Sequence, residues 1–158
     1  MKVSIDLSNL VRNLNNLCEF LDNSYDINCG GCCYISHLIA KHLESLNIEY
    51  SVVILDYEID KEDINEDEVI TSIKKHKHNL LTGRDVGNHY ALKIEDEIIN
   101  PSSIDEDRTI ICTNEIKSKD LKWIYDTGDW NDMYNIARNK YISSYIDTFF
   151  KTVKLDLL

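Results

Sequence analysis

Two adjacent glycines followed by two adjacent cysteines, Gly30-Gly31-Cys32-Cys33, constrain this chain more than any other feature. They lie in the stretch CGGCCYISHLIAKHLESL (residues 29–46), where Ile35, Leu38, Ile39, Leu43 and Leu46 recur at the spacing of one helical face. Lys41, Glu44 and Ser45 fall on the opposite face, which predicts an amphipathic helix half sunk in a core. The glycines break any helix before them and permit a sharp turn. Cys32 and Cys33 are thereby set in the first turn, where unpaired N–H groups and the positive end of the helix dipole favour an anion. A thiolate is such an anion, and helix N-termini lower a cysteine's pKa. A nucleophilic cysteine would be placed there.

The flanking sequence predicts one α+β domain over residues 1–158. Residues 6–22 read as a first helix, with Asp6 or Ser8 as N-cap and Leu10, Val11, Leu14, Leu17 and Leu21 as its apolar stripe. Cys18, among those apolar positions, reads as an inert buried thiol, and Cys112 reads as a second buried one. The polar run DNSYDIN (22–28) reads as a loop, and Asn47 as the C-cap of the second helix. YSVVILDY (50–57) is β-branched and predicts a buried strand. The segment from Asp56 to Glu68, with eight acids and one lysine, is a solvated loop, and residues 66–78 read as a surface helix. After a glycine-bearing loop, His89–Glu95 and Glu97–Asn100 form a predicted hairpin stopped by Pro101, and Arg108–Cys112 a third strand. Residues 118–126 and 130–153 read as helices, the second with Met133, Ile136, Ala137, Tyr141, Ile142, Tyr145, Ile146 and Phe149 along one face.

Charge and cysteine usage narrow the function classes. A net charge of −11 argues against a nucleic-acid surface, and there is no apolar run of membrane-spanning length. The acid excess would suit a basic protein or peptide partner, although such a surface more commonly serves solubility. Five cysteines, two of them adjacent, make a poor disulfide framework. With no secretory signal pattern they point to a reducing, cytoplasmic setting.

The hairpin supplies the rest of a catalytic arrangement. A two-residue loop at Glu95-Asp96 places Asn100 opposite Ala91, so His89 and Asn100 become diagonal neighbours on one face, whereas a three-residue loop would put them on opposite faces. An amide oxygen there could accept from one ring nitrogen and leave the other for the Cys32 thiol, holding the imidazole in the tautomer that nucleophilic catalysis needs.

The stretch GGCCYISHLIAKHLESLNI (residues 30–48) resembles the nucleophile helix of the papain-like and transglutaminase-like cysteine enzymes. That superfamily opens the helix with glycine, a variable residue and the catalytic cysteine, and ends it on leucine-glycine-isoleucine, here Leu46-Asn47-Ile48. Histidine then begins one strand, and aspartate or asparagine ends the next, often before proline, as Asn100 precedes Pro101. The resemblance implies a papain-like core, with the nucleophile helix packed on a small antiparallel sheet and flanking helices. It implies a cysteine peptidase or isopeptidase that uses no cofactor, with Cys32 as nucleophile, His89 as base and Asn100 as orienter. The same triad would serve acyl transfer to an amine. No upstream glutamine for an oxyanion hole is present, and Asn28 is the nearest amide.

Three other readings compete. Cys29-Gly30-Gly31-Cys32 is a CxxC that opens a helix, the thioredoxin-like arrangement, but such motifs follow a strand and residues 22–28 are polar. Cys29 and Cys32 also have zinc-ligand spacing, which Cys112 with His76 or His78 could complete. A non-catalytic acidic binding protein on the same fold is the third. Taken singly, Cys33, His37, His42 and His89 are ordinary packing or surface residues, and Trp123 and Trp130 are core or groove-lining ones.

Overall fold

The computed structural model describes residues 5–25, 31–56, 71, 74, 89–101, 109–127 and 133–157. Their elements run α1 (Leu7–Tyr25), α2 (Gly31–Ser45), β1 (Ser51–Asp56), β2 (His89–Ile94), β3 (Glu97–Ile99), β4 (Thr109–Thr113), α3 (Ser118–Thr127) and α4 (Met133–Asp156). The class is α+β, with these four helices and one antiparallel sheet of order β3-β2-β1-β4. Of the surface helix expected over 66–78, only Thr71 and Lys74 fall among the described residues, and both are helical. The acidic run after Asp56, the glycine loop before His89 and Trp130 lie outside them. No helix among the described residues is long and apolar enough to cross a membrane.

Local chemistry fixes the helix ends. Asp6 is the N-cap of α1, its carboxylate accepting the Asn9 N–H at 3.1 Å. The helix continues to Tyr25, so the first part of the run expected as a loop is its last turn. Tyr25 follows the fully buried Leu21 by one turn and packs on the core, and this packing overrides the weak helix propensity of the polar residues between them. At the end of α2, Asn47 takes the left-handed conformation with φ 56°. The Ile48 N–H reaches back to the Leu43 carbonyl at 3.0 Å and the Asn47 N–H to the Glu44 carbonyl at 3.1 Å, the paired bonds of a Schellman ending.

The core lies between the helices and one sheet face. Val52, Ile54, Tyr90, Leu92, Ile94 and Ile99 join Leu14 and Leu21 of α1 and Ile35, Ile39 and Leu43 of α2. Val53 and Ala91, on the sheet's other face, are also fully buried. The β2–β3 register pairs Leu92 with Ile99 and Ile94 with Glu97 across the two-residue turn at Glu95-Asp96, as the hairpin reading required.

Two expectations fail. Of the face expected for α4, Ile142 and Ile146 are fully buried and Phe149 packs on the core beside the fully buried Phe150, whereas Ile136, Tyr141 and Tyr145 are 51%, 61% and 42% exposed and Ala137 is exposed too. The tyrosines instead build a surface aromatic group with α1, Tyr25 stacking on Tyr141 at 6.1 Å and Phe20 meeting Tyr145 edge-on at 5.2 Å. Two apolar stripes run along this helix about 100° apart, and the sequence pattern merges them. Cys112, expected to be buried, is exposed, because β4 is an edge strand.

Candidate active site

Cys32 is the second residue of α2, in the turn whose N–H groups have no partner within the helix. It is 9% exposed and its neighbour Cys33 3%. The Cys33 thiol donates to the Leu121 carbonyl of α3 at 3.1 Å, which ties it to the interior. Cys33 is a docking residue between two helices.

Four residues after Cys32, the Ser36 hydroxyl donates to the Tyr90 carbonyl at 3.4 Å. One helical turn back from Ser36 is Cys32, and one residue back from Tyr90 is His89, so α2 and β2 begin at the same end of the core. His89 opens the β1–β2 ladder opposite Leu55; its side chain lies outside the described residues. In the alternation of β2, position 89 goes with Ala91 and Lys93, and the positions that face α2 are Tyr90, Leu92 and Ile94. Position 89 therefore belongs to the face of the sheet away from α2.

Asn100 follows β3 directly, and the register carried one step past Leu92–Ile99 sets it opposite Ala91. Its backbone N–H donates to Asn15 Oδ1 at 3.0 Å, and the Asn15 amide nitrogen donates to the Ile98 carbonyl at 3.0 Å. Pro101 is buried behind it. Asn15 was given no role from the sequence. Its signal was there: it lies four residues after Val11 and three before Cys18, on the edge of the buried stripe of α1.

The partners for the competing readings, Cys29, His76 and His78, lie outside the described residues, as do Asn28 and the side chain of Trp123. The element before α2 is helix α1, not the strand a thioredoxin-like motif follows. Among the described residues no cluster of three or more His, Cys, Asp or Glu is arranged to hold a metal ion.

A second polar group sits at the far end of α2. Glu44 accepts from the Tyr50 hydroxyl at 2.5 Å and the Ser118 hydroxyl at 2.9 Å, while Ser118 N–H donates to Tyr50 Oη at 3.0 Å. Burial raises the Glu44 carboxyl, but the bonds from Tyr50 and Ser118, with the nearby Lys117 charge, outweigh it and hold the carboxyl below its usual range. Burial, then the Glu44 bond and charge, push the Tyr50 hydroxyl well up. His37 Nδ1 lies 2.9 Å from the Ser118 carbonyl, close enough for the ring N–H to donate. Together these pin the start of α3 onto α2, beside an open groove of about 800 Å³ lined by Glu44, Ile48, Tyr50, Asn114 and Lys117. His42 stacks on Phe150 at 4.4 Å and meets Asp147 at 2.9 Å. Both helix histidines are thus structural.

Compared with protein-family models, curated proteins and solved structures, the chain has no significant match.

Proposed function

We propose that this chain is a papain-like cysteine hydrolase that cleaves an amide or isopeptide bond of a protein or peptide through an acyl-enzyme. The observation that carries the reading is the Ser36–Tyr90 hydrogen bond, which joins the second turn of α2 to the start of β2 at one end of the core. The Cys33 thiol is engaged with Leu121, and Cys32 is the cysteine that the resemblance to the nucleophile helix makes the attacking thiol.

In this mechanism His89 takes the Cys32 proton, and the thiolate attacks the carbonyl carbon. The oxyanion is met by backbone N–H groups of the first turn of α2. The imidazolium then protonates the leaving amine, and the C–N bond breaks. Water enters, gives a proton to His89 and displaces the thiolate as the carboxylic product forms. Asn100 accepts from the second ring N–H and holds the tautomer. An amine in place of water would give acyl transfer from the same acyl-enzyme.

A non-catalytic binding role on the same fold is the second reading. The parity of position 89 and the low exposure of Cys32 favour it. Alkylation with iodoacetamide separates the two, with the labelled residue mapped by mass in a Cys112→Ser background that removes the exposed thiol. The enzyme reading expects Cys32 to label fastest near neutral pH and His89→Ala to slow it at least tenfold. Preferential labelling of Cys29 or Cys33, or a Cys32 rate indifferent to His89→Ala, would overturn it.

A further inference from the structure

We infer that Asn15 of α1 is a positioning residue for Asn100, an inference that rests on the triad reading above. In the β2–β3 hairpin, Ile94–Glu97 closes the two-residue turn, so Glu97 and Ile99 turn their backbone groups toward β2. Ile98 and Asn100 therefore turn theirs outward, away from β2. There the Asn15 side-chain amide takes both, accepting from Asn100 N–H and donating to Ile98 C=O, each at 3.0 Å. The two partners fix which end of the amide is oxygen and which is nitrogen, because a carbonyl needs a donor and an N–H an acceptor. One side chain thus bonds to β3 as a neighbouring strand would, at the edge of the sheet formed by the described residues.

The position of α1 makes this a firm support. Ser8, seven residues before Asn15, donates to Glu97 Oε1 at 3.5 Å. Seven helical residues rise about 10.5 Å. Three strand residues span about 10 Å. Hence α1 lies along β3 with matched length, tied at the turn by Ser8 and at Asn100 by Asn15. Asn100 directly follows the last paired residue of the hairpin, and its N–H, turned away from β2, is held by Asn15. The direction of the Asn100 side chain depends on that backbone, and small displacements of an orienting group are costly in catalysis.

The test uses the full chain in the Cys112→Ser background and reads two quantities. The first is amide hydrogen exchange at Asn100; the second is the pH profile of Cys32 alkylation by iodoacetamide from pH 5 to 8. Asn15→Ala is expected to speed Asn100 exchange by at least tenfold and to lower the Cys32 rate at pH 6 by about threefold to tenfold. Asn15→Asp keeps the acceptor for Asn100 N–H and should restore slow exchange and part of the rate. Combined with Asn100→Ala, Asn15→Ala should add nothing to the loss of rate, as expected for a residue acting through another. Unchanged exchange in Asn15→Ala, or losses that add in the double variant, would overturn the inference. If Asn100→Ala alone slows Cys32 and Asn15→Ala does not, the inference fails and the triad survives. If Asn100→Ala leaves the profile unchanged, the triad and the inference fall together, whatever the exchange shows.

Discussion

Cys18 and Cys112 set the background against which Cys32 must be judged. Burial, followed by the Asp22 charge, pushes the Cys18 thiol up to about 12, and only the thiolate alkylates. Cys18 should remain unlabelled in the native protein and label fully once urea unfolds it. Mass mapping with and without urea checks this. The Glu44 cluster makes a different single-residue demand. A carboxyl held below its unfolded pKa stabilises the fold above that pKa and loses the contribution as pH falls through the folded value. Urea midpoints of Glu44→Gln and the parent should therefore differ at pH 7 and converge on the acid side. Tyr50→Phe removes one partner of a partly solvated carboxylate and should cost about 1 kcal/mol at pH 7. Midpoints that stay equally far apart below pH 4 would refute the linkage.

Two positive-φ residues test how the elements end. Asn47 at φ 56° and Glu95 at φ 54° occupy the region where a Cβ is unfavourable. Glu95 starts a two-residue hairpin turn for which glycine is preferred at the first position. Glu95→Gly should stabilise the protein by several tenths of a kcal/mol to about 1 kcal/mol, and Asn47→Ala should destabilise it by a similar amount. Thermal melts of the two variants should move in opposite directions.

The same elements mark what could be read from the residues alone. The hairpin register was legible to within a two- or three-residue loop, and the Ile94–Glu97 pair decides for two. The α2 face was legible because its apolar positions form a single stripe, and Asn47 because few residues other than glycine tolerate that conformation. The far end of α1 and the face of α4 were not. Each is decided by aromatic side chains meeting across two helices, which local periodicity cannot express. Asn15 and Glu44 were invisible for a related reason: their partners lie 85 and 74 residues away.

For the molecule as a whole, α4 is held to the core by one of its two apolar stripes. Phe150 is fully buried and stacked with His42, while Tyr141 lies outside on the same helix. Phe150→Ala should cost about 3–5 kcal/mol, whereas Tyr141→Ala should stay within about 1 kcal/mol. Urea denaturation of the two variants measures the contrast directly, and equal losses would mean the two stripes of α4 had been assigned wrongly.

The sheet order also has a consequence during synthesis. Both neighbours of β1 come from later in the chain, β2 pairing through residues 89–93 and β4 through residues 109–113. A ribosome adding about 5–20 residues per second needs seconds to reach them. Through that interval the Val52-Val53-Ile54 strand has emerged with both of its hydrogen-bonding edges bare, the state in which a β-branched segment recruits another chain. Nascent chains stalled before residue 109 should accordingly be bound by chaperones or form inclusion bodies, while chains released after β4 should not.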